Sequence, residues 1–212
     1  MPSLKDVKLK AFVRSKMKEA LLKTGREMVA KDGVDELSAR KLATKANSSV
    51  GMIYNIFGTM DNYVVEQNVI TLEELFEKMN SIVLGGNPFN NLNRYMDVLA
   101  SYIESNQNLW YLLYSNHLTT GARQSSVAEA RVIKKIDVLI GFQAAKLIGG
   151  LSGKEKRLAI KVLEMSLFAL SGYLLGNKLN PKSGLNRGNL CKLLMNTYMA
   201  GLASLKKEKE NA

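Results

Sequence analysis

Apolar residues return every three or four positions along nearly all of this 212-residue chain, which is the spacing of amphipathic α-helices. Val13, Met17, Leu21 and Met28 belong to one such series. The alternation typical of β-strands is nearly absent, and only three prolines interrupt the chain. The sequence therefore predicts an all-α protein of eight to ten helices, forming one large domain or a small domain joined to a larger one.

Residues that cap or break helices divide this pattern into segments. Ser38, Thr59 and Asn87 are candidate N-caps. Ser152 and Glu155 have the spacing of a capping box, in which two side chains satisfy each other's free amides. The predicted helices cover 5–31, 39–46, 50–57, 59–84, 88–105, 122–147, 153–179 and 185–206, with a short helix and a loop in 106–122.

The chain is strongly basic, and its surplus charge is uneven. The formal net charge is +11 and the isoelectric point is about 9.6, which favours an anionic partner such as nucleic acid or a membrane surface. Residues 1–58 hold twelve basic and six acidic side chains, so this first quarter supplies over half of the surplus. A partner for the charge is therefore expected near the N-terminal part of the chain.

Several kinds of chemistry lack the residues that they need. Cys191 is the only cysteine and His117 the only histidine, which excludes an intrachain disulfide and multi-cysteine or multi-histidine metal sites. Neither a signal peptide nor a run of about 18 uncharged apolar residues is visible. We expect a cytoplasmic protein without membrane insertion, metal, cofactor or catalytic activity.

Three positions in residues 38–57 match a helix-turn-helix. Ala43 is small where the first helix must press on the second, Asn47 tolerates a left-handed backbone in the turn, and Ile53 is an apolar anchor six residues later. Many helical hairpins also satisfy this spacing. The long amphipathic helix that precedes the pair favours a three-helix DNA-binding domain.

The stretch 27–64, EMVAKDGVDELSARKLATKANSSVGMIYNIFGTMDNYV, resembles the N-terminal domain of TetR-family transcriptional regulators. The matching elements are VAKDG, SARKLA, the turn ANSS, and GMIYNIF with its glycine, tyrosine and phenylalanine. The resemblance implies a helix-turn-helix DNA-binding domain over residues 1–58 and a helical effector-binding and dimerisation domain over residues 59–212. It also implies a homodimeric repressor that binds a pseudo-palindromic operator and is released by a small molecule.

The resemblance also implies which side chains meet DNA. Asn55 can bond to adenine, and Val50 or Met52 can touch a thymine methyl. The residues that the resemblance and their position place at bases, sugars or phosphates are Ser38, Arg40, Lys45, Ser48, Ser49, Val50, Gly51, Met52, Tyr54 and Asn55.

Alternative roles exist for several of these residues. Tyr54 could instead be a core tyrosine, Ser38 and Ser49 could be simple N-caps, and Lys45 could be ordinary surface. The chain also departs from the family pattern at four positions, where the family has a turn glycine, two lysines and a proline: Asn47, Val50, Met60 and Gly58. Much of the electrostatic affinity must then come from Arg40, Lys45 and the basic segment that ends at Lys18.

Two further predictions concern the larger C-terminal part. Small residues recur in the last two long helices, so we expect a homodimer through residues about 153–206 that forms a four-helix interface, with packing inside one subunit as the alternative. Since the family binds small molecules in this region, an apolar or aromatic effector is expected. The candidate ligand residues, whose alternative role is core packing, are Tyr102, Trp110, Tyr111, Tyr114 and His117.

Two other classes of function fit parts of the sequence. A non-specific nucleic-acid or membrane-surface protein would depend on the basic leader, the N-terminal segment that ends at Lys18. Deleting residues 1–11 would then remove nearly all of its binding. An enzyme is the weaker alternative, because no pair of nucleophile and base, metal set or phosphate loop is visible.

Overall fold

The computed structural model of the protein describes residues 4–120, 126–149, 151–176 and 187–210. The described part is helical, with a short 3₁₀ turn at Val34–Glu36. Its helices are α1 (Leu4–Asp32), α2 (Ala39–Lys45), α3 (Val50–Phe57), α4 (Met60–Asn80), α5 (Pro88–Ser105), α6 (Gln107–Thr120), α7 (Val127–Leu147), α8 (Gly153–Gly176) and α9 (Arg187–Glu210). The all-α prediction is confirmed.

Side-chain caps account for the starts of several of these helices. The Thr59 hydroxyl accepts a hydrogen bond from Asn62 N at 3.1 Å, and Asn87 Oδ1 accepts one from Phe89 N at 2.9 Å. At the start of α8, Ser152 N donates to Glu155 Oε2 at 2.9 Å, and Glu155 N donates back to Ser152 Oγ at 3.4 Å. The predicted capping box is therefore present.

Two predictions of helix extent are wrong, and two further limits cannot be compared. Helix α4 ends at Asn80 rather than near Leu84, because the side chain of Asn91 bonds both backbone groups of Gly85 at 2.9 Å and holds that segment in a loop. The predicted short helix and loop in 106–122 is a helix of 14 residues. The predicted start at residue 122 and the end at residue 179 lie outside the described residues.

The chain forms two compact units, of which the first comprises Met1–Thr71 and Asn106–Glu129. One core cluster of this unit joins α1, α2, α3 and the start of α4. Its buried members are Leu21, Met28, Leu42, Ala43, Ile53, Phe57 and Tyr63.

Helix α6 belongs to the first unit because it packs on the C-terminal half of α1. Val29 shares a buried cluster with Leu109 and Leu112, and Asn108 Nδ2 donates to Ala30 O at 3.0 Å. The compact unit therefore differs from the predicted domain of residues 1–58. How far a DNA-binding domain extends as a functional segment stays a prediction.

A buried polar row on α4 faces α1 within this unit. The Tyr63 hydroxyl donates to Leu21 O at 2.9 Å and accepts from Gln67 Nε2, which also donates to Leu22 O at 2.7 Å. Gly25 lies opposite, and a Cβ on Gly25 would collide with the Tyr63 hydroxyl. Glycine is thus needed for this close approach, and burial raises the pKa of Tyr63 to about 12.

The second unit comprises Leu72–Ser105 and Ala130–Ala212. Helix α5 packs on α8 and on α9 in this unit. The buried residues of α5 are Asn91, Leu92, Tyr95, Met96, Leu99, Ala100, Tyr102 and Ile103. Two buried amides lie in this core, where Asn91 Nδ2 donates to Gln143 Oε1 at 3.1 Å.

Candidate nucleic-acid interface

The turn between α2 and α3 has the backbone that the sequence predicts. Asn47 has φ 47°, and within the described residues no other non-glycine residue has a positive φ. Ser48 N donates to Ala43 O at 2.9 Å, which closes the turn over the small side chain of Ala43. Asparagine tolerates this left-handed conformation, so Asn47 replaces glycine here without breaking the motif.

Each of the two motif helices begins at a serine cap. Ser38 Oγ accepts a hydrogen bond from Lys41 N at 3.3 Å, and Ser49 Oγ accepts one from Met52 N at 3.1 Å. The capping role considered for these serines is therefore present. A capping hydroxyl keeps its own proton, so the same oxygen can still donate to a phosphate.

Helix α3 is divided into a buried face and an exposed face. Ile53 and Phe57 are 0% and 5% exposed and belong to the core cluster of the first unit. On the other face, Val50, Met52 and Tyr54 are 38%, 40% and 46% exposed. Since large side chains are exposed on an eight-residue helix that carries no charge, this face is a candidate contact surface.

Three predicted DNA-contacting residues of α3 are accessible from outside the subunit. Tyr54 lies on the exposed face, so the alternative of a core tyrosine is wrong. Asn55 is also exposed, which leaves its amide accessible. Gly51 has open space beside it, since an added Cβ would meet only Ser49 Oγ at 3.9 Å. The packing of the subunit itself therefore does not require glycine at this position.

Basic side chains lie around this uncharged face on α2. Arg40 is exposed, and Lys41 Nζ lies 2.8 Å from Glu36 Oε2. Lys45 Nζ is 3.5 Å from Asp32 Oδ2, with both side chains partly exposed. Such exposed ion pairs contribute little to stability, so a phosphate can compete for either lysine.

Sequence reasoning missed a contact between α1 and the end of α3. Arg14 Nη2 donates to Asn55 O at 2.8 Å, although the residues are 41 positions apart. Lys18 Nζ lies 5.8 Å from the ring centroid of Phe57 and 2.7 Å from Glu66 Oε2. No local spacing in the sequence signals such a contact. The basic leader is therefore attached to the candidate interface through Arg14.

The predicted ligand residues are divided between the two compact units. Tyr102 lies in the second unit, where its hydroxyl donates to Glu74 Oε2 at 2.8 Å. Trp110, Tyr111 and Tyr114 lie in the first unit, with Trp110 buried and Tyr111 54% exposed. The side chain of His117 lies outside the described residues. A shared pocket for these side chains stays a prediction.

A small cavity does lie in the second unit, and its lining is apolar. Its volume is about 10 Å³, roughly the space of one water molecule. None of the predicted ligand residues whose side chains are described lines it. The lining residues are Met79, Leu92, Tyr95, Met96, Leu99, Ile140, Leu163, Leu167 and Met195.

Helix α8 has an uncovered apolar stripe. By length and composition, its segment Gly153–Leu175 could cross a membrane, but the core helix of a soluble protein can pass the same test. The exposed side chains follow a helical spacing, and only 28% of the most apolar window is buried. The large exposed members of the stripe are Leu158, Val162, Met165, Phe168 and Tyr173.

The outward side of α9 is lined by small residues. Ala200 and Gly201 are exposed, and a Cβ added at Gly201 would meet nothing within 4 Å. The opposite side holds the buried residues Cys191, Met195 and Leu202. Ala200 and Gly201, which belong to the small residues predicted at a subunit interface, therefore face away from the core of their own unit.

The described residues contain no group of three or more His, Cys, Asp or Glu side chains that could hold a metal ion. No protein-family model matches the chain, and no curated protein sequence matches it.

Solved structures do match, and three of them are 13% to 15% identical to this chain. PfmR, a TetR-family regulator from Thermus thermophilus, has a TM-score of 0.60 at 13% identity, over 85% of this chain and 97% of PfmR. The transcriptional regulator FadR from Bacillus subtilis, in complex with stearoyl-CoA, has a TM-score of 0.65 at 15% identity, over 86% and 98%. A TetR-family regulator from Streptomyces coelicolor has a TM-score of 0.63 at 14% identity, over 92% and 83%. The chain therefore has the fold of the TetR-family transcriptional regulators.

Proposed function

We propose that this chain is a homodimeric transcriptional repressor that binds a pseudo-palindromic operator in duplex DNA. The observation that carries the proposal is the exposed, uncharged face of α3, which follows the left-handed turn at Asn47. A helix that enters the major groove needs such a face toward the base edges, with charges at its margins toward the phosphates.

In this proposal the exposed residues of α3 read the sequence. Asn55 hydrogen-bonds to a base edge, and Val50 and Met52 contact thymine methyl groups. Gly51 lets the backbone approach the DNA closely. Phosphate contacts come from the hydroxyl and basic side chains around them: Ser38, Arg40, Lys45, Ser48, Ser49 and Tyr54.

The second subunit is proposed to dock on α8 and α9. The apolar stripe of α8 and the small residues Ala200 and Gly201 of α9 support a four-helix interface, since both are exposed in one subunit. Two-fold symmetry then presents two α3 helices to two half-sites.

A small apolar effector is proposed to release the operator. The fold supports this, because FadR, whose structure is similar, is described in complex with stearoyl-CoA. The effector must bind more tightly to a state in which the two α3 helices do not fit the operator. We assign the protein to the cytoplasm and give it no catalytic role.

The test is selection of bound fragments from random duplex DNA, followed by substitution on α3. Val50→Glu places a negative charge on the reading face, and we expect operator affinity to fall by roughly a hundredfold or more with melting nearly unchanged. Val83→Glu is the matched control, because Val83 is 84% exposed and lies outside the motif. Unselective DNA binding by the wild-type protein, or intact operator affinity in Val50→Glu, would contradict the proposal.

One alternative is a basic protein that binds nucleic acid or anionic membranes without selectivity. The exposed apolar and basic side chains at the start of α1 favour it. Deleting residues 1–11 distinguishes this alternative from the proposed regulator. A regulator keeps its sequence preference at lower affinity, whereas the alternative loses nearly all of its binding.

A further inference from the structure

The first turn of α3 carries apolar side chains on both sides of its exposed face. At 100° per residue, Gly51 and Asn55 each lie about 160° from the buried Ile53, so they mark the centre line of that face. Val50 lies about 60° from Ile53 on one side, and Met52 lies about 100° from it on the other. Val50 and Met52 therefore flank the centre line, one on each side.

The space between these two side chains is open. Gly51 has no side chain, and a Cβ added there would meet only Ser49 Oγ, at 3.9 Å. Val50 and Met52 are 38% and 40% exposed, although both are apolar. A base edge can thus approach the backbone of α3 closely, with one apolar side chain on each side of it.

The same surface offers no charged group to a base. Residues 46–60 contain no Lys, Arg, Asp or Glu. Arg14, which reaches α3 from α1, donates to Asn55 O at 2.8 Å and so lies toward the C-terminal end of the helix. Guanine is most often read by an Arg or Lys that bonds to O6 and N7, and cytosine N4 donates to a carboxylate. Neither contact is available from the first turn of α3.

Burial decides which base pair fits against such a surface. A C·G pair placed against Val50 or Met52 would lose water from the polar atoms of its major-groove edge, and an apolar side chain returns no hydrogen bond. A T·A pair presents the C5-methyl group of thymine, so the contact buries two apolar surfaces. Burial of one methyl group corresponds to about fourfold in affinity.

We infer that each half-site places A·T base pairs against the first turn of α3, and that the protein recognises them by the C5-methyl groups of thymine. Val50 and Met52 contact these methyl groups, and the Asn55 amide, one turn later, bonds to adenine. The inference rests on the proposed operator binding and deepens it, because it names the base pairs and the chemical group that distinguishes them. Since 5-methylcytosine carries the same methyl group, binding also responds to methylation of cytosine at these positions.

The first test removes single methyl groups from the operator that the full chain selects from random duplex DNA. Deoxyuridine replaces each thymine in turn, which keeps the base pair and removes only the methyl group. We expect affinity to fall about fourfold for the two thymines of each half-site that meet Val50 and Met52, and to stay unchanged for thymines outside the half-sites. Cytosine paired with guanine at these positions costs about tenfold or more, and 5-methylcytosine recovers about fourfold of that loss.

The second test identifies the side chain that meets each methyl group. Val50→Ala and Met52→Ala shorten two exposed side chains that lie outside the buried core cluster of the first unit. In each variant, we expect deoxyuridine at one of the two thymines to cost less than about twofold, while the other thymine keeps its full effect. Val138→Ala is the matched control, because Val138 is 60% exposed and lies on α7. This control should show both deoxyuridine effects as the wild type does.

The outcomes distinguish the inference from the proposed function. Selective binding with equal affinities for thymine and deoxyuridine operators overturns the inference and leaves the regulator function standing, as does 5-methylcytosine that binds no better than cytosine. An equal loss with deoxyuridine in the wild type and in both alanine variants attributes the preference to DNA shape and also overturns the inference. Wild-type protein without sequence-selective binding overturns the inference and the proposed function together.

Discussion

Gly51 shows how a single residue separates folding from binding. Its position in the first turn of α3 leaves open space for a side chain, so the core gains nothing from glycine there. Glycine is also the poorest helix former apart from proline. A residue that costs helix stability and is not needed for packing is best explained by what must approach it from outside.

We therefore predict opposite effects of Gly51→Ala on stability and on binding. The added methyl group should raise the free energy of unfolding by up to about 0.5–1 kcal/mol, because alanine favours the helix. Operator affinity should fall by roughly fivefold or more, because the methyl group lies on the face of α3 that we propose to contact the bases. Thermal melting and operator titration measure the two effects.

Gly153→Ala is the matched control for this prediction. Gly153 also lies in the first turn of a helix and has nothing within 4 Å of an added Cβ, but it is far from α3 in sequence and belongs to the second unit. The Gly153→Ala variant should gain a similar free energy of unfolding without losing operator affinity. Equal operator affinities for Gly51→Ala and wild type would show that the α3 backbone does not approach DNA.

At the scale of helices, local signals decided which predictions were correct. The bounds of α3 are those predicted, because the cap at Ser49 and the break at Gly58 lie within one turn of its ends. The length of α6 was not predicted, because it is stabilised by contacts such as Asn108 to Ala30, 78 residues apart. The bond from Arg14 to Asn55 and the cavity lining likewise join distant segments, which periodicity cannot reveal.

The exposed side of α9 gives a prediction for the proposed dimer. Gly201→Arg adds a long charged side chain where the subunit has open space, so the helix itself should fold as before. In a close four-helix interface the same side chain would be buried without a partner, and we expect the dimer dissociation constant to rise by about tenfold or more. Sedimentation velocity over a range of concentrations measures it.

Gly86→Arg serves as the control for the dimer prediction. Gly86 also has nothing within 4 Å of an added Cβ, but it lies in the connection between α4 and α5. This variant should dimerise like the wild type. Unchanged dimerisation of Gly201→Arg would remove α9 from the interface.

At the scale of the whole molecule, one tyrosine in each unit makes the stability of that unit depend on pH in the alkaline range. Tyr63 lies in the first unit and Tyr198 in the second, and burial raises the pKa of each to about 12. The ordinary tyrosine pKa is about 10, so the folded state holds both protons more tightly than the unfolded chain does. The stability due to each raised pKa is complete below about pH 10 and is lost as the pH rises from about 10 to about 12.

Alkaline melting should therefore reveal whether the units unfold together. For Tyr63 the raised pKa corresponds to a loss of about 1 kcal/mol between about pH 9 and pH 11. Tyr63→Phe removes this loss, although it also removes the hydrogen bond to Leu21 O and so lowers stability at every pH by about 1 kcal/mol. Its melting temperature should consequently change less over this pH range than that of the wild type, while Tyr111→Phe, at a 54% exposed position, should behave like the wild type.

The shape of the unfolding transition then shows whether the two units unfold together or separately. If the units unfold as one, Tyr63→Phe shifts a single transition that near-ultraviolet circular dichroism reports for all tyrosines together. If they unfold separately, only the transition of the first unit changes, and that of the second still falls with pH because of Tyr198. An equal alkaline loss in Tyr63→Phe and wild type would show that Tyr63 is not the group responsible. Cooperative unfolding would indicate a coupling free energy between the units. The proposed release of DNA requires such coupling, because an effector bound in the second unit can act on α3 only through it.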